Sequence, residues 1–136
     1  MEDLRQKYPG YFGARLDASP PPGGYPPEFW VITACDPLGQ ALTDGENAER
    51  MREFERGLAD LGWRHFPVTG YDPRPGGTHR EQGFGVVCDG REAMRLGRKW
   101  EQVAVFLVRG GMVWLVFCSQ AEERFFLRSW EEMISR

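Results

Sequence analysis

Thr33 and Asp36 follow directly on the apolar run Phe29-Trp30-Val31-Ile32, and Asn47 and Arg50 stand one helical turn apart soon after. Polar side chains gathered at the end of a buried strand are a common setting for a ligand site. Glu81, Trp100 and Gln102 complete the set, since each falls at the edge of a predicted element, where the core does not need it. Two chemistries follow. All seven can line a polar pocket for a small molecule. Asp36 and Glu81, on neighbouring strands, can instead form a carboxylate pair for acid–base work, tuned by Arg50. The plainer alternative is an ion-pair and hydrogen-bond cluster that ties loops to a helix.

Other chemistries have weaker support. Cys35 could pair with His79 as a nucleophile and base, but a free cysteine after a strand is more simply a small buried hydrophobe. His65 and His79 are the two histidines, and no third or fourth ligand has zinc spacing, so no metal is expected. Gly23-Gly24 and Gly76-Gly77 precede no convincing helix and match no phosphate-binding fingerprint, so no cofactor is expected. Arg91, Arg95, Arg98 and Lys99 read as a solvated helix face.

The elements that must position these groups are well marked. Residues 29–34 are aromatic or β-branched and predict a buried strand, ended by Pro37 and Gly39. Thr43-Asp44-Gly45-Glu46 is a capping box opening a helix with an apolar stripe at Ala48, Met51, Phe54, Leu58 and Leu61. Gly62 stops it, and Gly57 inside it suggests a close helix–sheet contact. Strands are expected at 64–70 and 82–88. Asp89 caps a second helix with a stripe of Ala93, Leu96, Gly97 and Trp100. Gly110-Gly111 joins two apolar arms as a hairpin, whose faces call for cover on both sides. Ser119-Gln120-Ala121-Glu122 reads as a further capping box, opening a C-terminal helix with Phe126, Trp130, Met133 and Ile134 on one stripe.

This order predicts an α+β fold, a ferredoxin-like β-α-β-β-α-β unit extended by a C-terminal hairpin strand and helix. Residues 1–28 form a Pro/Gly-rich arm, with Tyr8, Tyr11, Phe12 and Leu16 available to anchor it, and residues 29–136 form a single domain. A chain of 136 residues with 41% hydrophobic content supports one core. A net charge of −3 argues against general nucleic-acid binding. Three widely spaced cysteines argue against a disulfide framework and fit the cytoplasm. No apolar run has the length of a membrane span.

Thr33-Ala34-Cys35-Asp36-Pro37, Asn47 with Arg50, Glu81-Gln82-Gly83-Phe84 and Trp100-Glu101-Gln102 together resemble the bacterial family called domain of unknown function 3293. Its pattern is Thr-Ala-x-Asn-Pro, Asn-x-x-Arg, Glu-x-Ser-Phe and Phe-Gly-Gln, in that order over roughly residues 29–117. This chain departs from it at Asp36, Gly83 and Glu101. The resemblance supports the choice of site residues and implies no reaction. Three functions therefore remain in view: a module binding a small polar ligand or regulating through it, a protein-interaction module that homodimerises through an exposed apolar edge, and a hydrolase with Glu81 or Asp36 as general base.

Overall fold

The computed structural model describes residues 3–75, 80–119 and 122–135. The chain forms a mixed α+β fold around one seven-stranded antiparallel sheet. In chain order the elements are helices α1 (Leu4–Lys7) and α2 (Pro9–Phe12), strands β1 (Arg15–Asp17) and β2 (Glu28–Ile32), helix α3 (Asp44–Leu61), strands β3 (His65–Tyr71) and β4 (Arg80–Val86), and helix α4 (Gly90–Lys99). Strands β5 (Ala104–Arg109), β6 (Met112–Phe117) and β7 (Arg124–Ser129) and helix α5 (Trp130–Ile134) follow. Across the sheet the strands lie in the order β1-β3-β4-β2-β5-β6-β7.

Period-two alternation sends β2 side chains to two cores. Trp30 and Ile32 pack under Met51, Phe54 and Leu58 of α3 and Ala93 of α4. Phe29 and Val31 point the other way, onto Leu16, Phe66, Trp130 and Met133. On that second face Tyr8, Tyr11 and Phe12 gather round Phe117, with ring centroids 5.6, 6.5 and 6.3 Å from it. The hairpin is thus covered on both sides, and Gly110 and Gly111 turn it at φ 56° and 76°. Residues 3–28 are part of this packing: β1 pairs with β3, Leu16 is fully buried, and Tyr25 stacks on Phe29.

Capping explains the long helices. Thr43 with Glu46 and Asp89 with Glu92 form reciprocal capping boxes at α3 and α4, and Gly62 ends α3 at φ 72°. Several expectations are corrected. Leu61 lies on the exposed side of α3, at 55% exposure. A Cβ on Gly57 would meet no atom within 4 Å, so no close contact explains that glycine. The strand expected at 82–88 begins at Arg80 and ends at Val86. Residues 124–129 form a strand, not a helix, and Phe126 is 48% exposed. Phe125 and Leu127 alternate onto the covered face, and pairing with β6 satisfies the backbone in a way that overrides the helical spacing. Glu122 closes a turn on Ser119, and the C-terminal helix is capped by Ser129 with Glu132. Gln120 and Ala121 of the expected capping box lie outside the described residues.

Candidate functional site

The loop after β2 is held by side chains reaching back from α3. Asn47 and Asp36 exchange two hydrogen bonds: the Asp36 amide donates to Asn47 Oδ1 at 2.9 Å, and Asn47 Nδ2 donates to Asp36 Oδ1 at 2.8 Å. The Leu42 amide also donates to Asp36 Oδ1, at 3.0 Å. Asp36 needs this support because it sits at φ 46°, a left-handed conformation that Asn and Asp tolerate best after glycine.

Arg50, one turn further along α3, ties that loop to the loop between α4 and β5. Its Nε donates to Ala34 O at 2.5 Å and its second guanidinium nitrogen to Trp100 O at 2.9 Å. Its guanidinium lies 5.5 Å from the centre of the Trp100 ring and 3.7 Å from the Glu101 carboxylate. Gln102 makes the same connection from the other side, donating from Nε2 to Cys35 O at 3.0 Å and to Trp100 O at 3.1 Å. The Leu38 amide donates to Glu101 O across the two loops. Thr33 donates to Gln82 O and accepts from the Cys35 amide, which fixes the loop to β4.

Asp36, Asn47, Arg50, Trp100 and Gln102 therefore form one connected cluster. Thr33 joins at its margin, and its hydroxyl is occupied by backbone partners. Most of the polar atoms in this cluster satisfy main-chain groups of two loops. Asp36 and Gln102 also border a cavity of about 440 Å³, and Glu81, on β4, borders it with them. Its opposite wall is the N-terminal segment, through Tyr8 and Tyr11, with Tyr71 and Phe106 closing the sides. A second hollow of about 500 Å³ shares Tyr8 and Gln102 with it. Thr33, Asn47, Arg50 and Trp100 are not among the residues that line it.

The aromatic wall had only an indirect trace in the sequence. Tyr8 and Tyr11 read as anchors for the arm, and nothing local indicated that they would lie over the strand ends. Tyr71, which ends β3, reads in the sequence as the start of a turn-rich loop, and Phe106 as an ordinary strand residue. Burial, then the charge of Glu81, with smaller contributions including Asp36, pushes the Tyr11 phenol up to about 12. Both carboxylates thus act on the same hydroxyl.

Cys35 is 5% exposed, and burial, together with Glu81 and Asp36, raises its thiol above the ordinary range despite opposing hydrogen bonds from Thr33 and Gln82. A protonated, buried thiol is a poor nucleophile. His65 is bound to Trp63 O through Nδ1 at 2.9 Å and packs on Phe84, a structural role. His79 and the Gly76-Gly77 turn lie outside the described residues. Among the described residues no group of three or more His, Cys, Asp or Glu is placed to hold a metal ion. No helix there is long and apolar enough to cross a membrane.

An antiparallel sheet with this clamped loop is the setting in which the family becomes identifiable. A family model described as "Protein of unknown function (DUF3293)" matches residues 32–105, more than half of the chain, and the chain belongs to that family. The match begins at the end of β2 and closes in β5, so it contains the whole clamp and Glu81, and excludes the N-terminal wall. No curated protein and no solved structure matches the chain.

Proposed function

We propose that the protein is a binding module for a small polar molecule, with the cavity under the N-terminal helices as its site. One observation carries this reading: Asp36, Glu81 and Gln102, drawn from three separate segments, border one cavity of about 440 Å³ with aromatic walls. That volume is in the range of small-molecule sites, which combine apolar walls with a few placed polar groups. Thr33, Asn47, Arg50 and Trp100 serve as positioning residues. The segment β2-α3-β3-β4-α4-β5 is read as a ferredoxin-like unit, a reading supported by the strand order β3-β4-β2-β5. The three cysteines are free thiols, which supports a reducing compartment such as the cytoplasm.

A thermal-shift screen of the full chain against polar metabolites tests the binding reading. At least one compound raises Tm, and Glu81→Gln or Asp36→Asn removes the gain. A screen without a stabilising compound, or a gain that survives both substitutions, overturns it.

A homodimerising module is the second reading. Phe126, on the terminal strand β7, is 48% exposed and lies 5.8 Å from the Trp114 ring, with Met112 exposed nearby. Edge strands with exposed apolar side chains are prone to pairing. Light scattering that finds only monomer at millimolar concentration removes this reading. The hydrolase alternative keeps Asp36 and Glu81 as its acid–base pair, and turnover in a panel of ester and amide substrates, lost in Glu81→Gln, is what it requires.

A further inference from the structure

We propose that a hollow beside the first turn of α4 binds a phosphoryl group, as free phosphate or as the monoester of a small molecule. The hollow shares no lining residue with the cavity under the N-terminal helices, so the two sites stand or fall separately.

Trp30 is 1% exposed, yet its indole Nε1 is buried and has no acceptor. A buried indole N–H usually finds one, because an unpaired donor costs its full desolvation. Trp30 lines a hollow of about 370 Å³ together with Arg91 and Arg98 of α4, Glu122, and Arg124 of β7. Its Cζ2, on the N–H side of the ring, lies 3.6 Å from where a Cβ on Gly90 would stand, which sets that edge of the indole beside the first turn of α4. Arg91 and Arg98 are two turns apart and share a face of that helix. The pairing of β6 with β7 sets Arg124 opposite Val116, which also lines the hollow.

Arg98 is fixed in place. Its Nε donates to Cys118 O at 2.8 Å, and its second nitrogen donates to Ser119 O at 3.3 Å and to the Glu122 carboxylate at 2.8 Å. The carboxylate on the wall is therefore already engaged. Among the described residues no acidic side chain pairs with Arg91 or Arg124. Asp89 and Glu92, at the same helix start, turn their carboxylates onto backbone amides of the capping box and do not line the hollow. The wall thus offers two unpaired guanidinium forks and a buried N–H, all of them donors. A cation meets like charge there. A carboxylate matches one fork. A phosphate monoester, with a charge of about −1.5 to −2 at pH 7 and three acceptor oxygens, serves both forks and the indole. The net charge of −3 disfavours a nucleic-acid backbone as the source of that phosphate.

Inorganic phosphate, phenyl phosphate and benzoate are each titrated into the isotopically labelled full chain at equal ionic strength. Both phosphates saturate and move the Trp30 indole N–H and the amides of Arg91 and Arg124, while benzoate binds about tenfold or more weakly. Arg91→Gln and Arg124→Gln, at exposed positions that the core does not need, each weaken both phosphates by about tenfold. Arg95→Gln, on α4 outside the hollow, does not. Phenyl phosphate binding more tightly than the free ion upholds the site as one for a monoester, and the reverse order upholds it as one for phosphate itself. Benzoate binding as tightly as phenyl phosphate overturns the inference. So do shifts confined to other surfaces, binding that survives both arginine substitutions combined, or no saturation with any of the three. A short single-stranded DNA that moves the same resonances at lower concentration than phenyl phosphate overturns it in favour of a nucleic-acid backbone.

Discussion

At Gly83 a Cβ would lie 2.9 Å from the Ile32 carbonyl oxygen, and at Gly57 it would meet open space. The same residue type answers to opposite constraints. Gly83→Ser forces β4 away from β2 and destabilises the protein by about 1–3 kcal/mol in urea unfolding. Gly57→Ala gains about 1 kcal/mol, because it removes helix-interior glycine entropy at no steric cost. Glu101 sits at φ 58°, a left-handed conformation that favours glycine. Its distant contact with Arg50, at 3.7 Å and half-exposed, contributes little, so Glu101→Gly leaves stability unchanged or raises it by up to about 1 kcal/mol.

At the scale of elements, Arg50 joins α3 to two loops. Arg50→Ala strands the Ala34 and Trp100 carbonyls on one side and loses the stacking on Trp100. The expected loss is about 2–3 kcal/mol in urea unfolding, with faster hydrogen exchange at Leu38 and Gln102. A loss below about 0.5 kcal/mol would show that the clamp is decorative. The elements were also where the sequence was most readable. Capping boxes at Thr43 and Asp89 and the Gly110-Gly111 turn are local signals, written in residues three apart or adjacent, and they placed α3, α4 and the hairpin. The spacing of residues 124–129 fits a helix, and only pairing with β6, a long-range contact, selects the strand. Asp36 and Gln102 could be picked because they stand in loops beside element ends, and Asn47 and Arg50 because they lie in the first two turns of α3. That they serve the backbone, while Asp36, Glu81 and Gln102 also border a cavity, depends on three-dimensional closure that no local pattern encodes. The tyrosine wall depends on where the N-terminal segment folds back, which is equally non-local.

The whole molecule holds several buried acids in their protonated form. Burial raises the Cys88 thiol to about 12 and the Cys118 thiol to about 11, from an ordinary 9.0, and Tyr11 rises from 10.0 to about 12. In each case the folded value lies above the unfolded one, so the fold favours the protonated form. Their contribution is complete below pH 9 and is lost as pH rises through the folded values. Unfolding free energy therefore falls steadily between about pH 9 and 12, and Tyr11→Phe flattens the portion above pH 10. A stability profile level across that window would contradict this. The same burial makes Cys35 and Cys118 slow to react with a thiol reagent at pH 8 until the chain is unfolded.

The cavity between the strand ends and the N-terminal helices is the claim on which the rest turns. A crystal structure of the full chain with the compound that most raises Tm tests it most directly. That compound is expected in the cavity that Tyr11, Asp36, Glu81 and Gln102 border. The same compound bound on another surface, with the cavity holding only water, would contradict it.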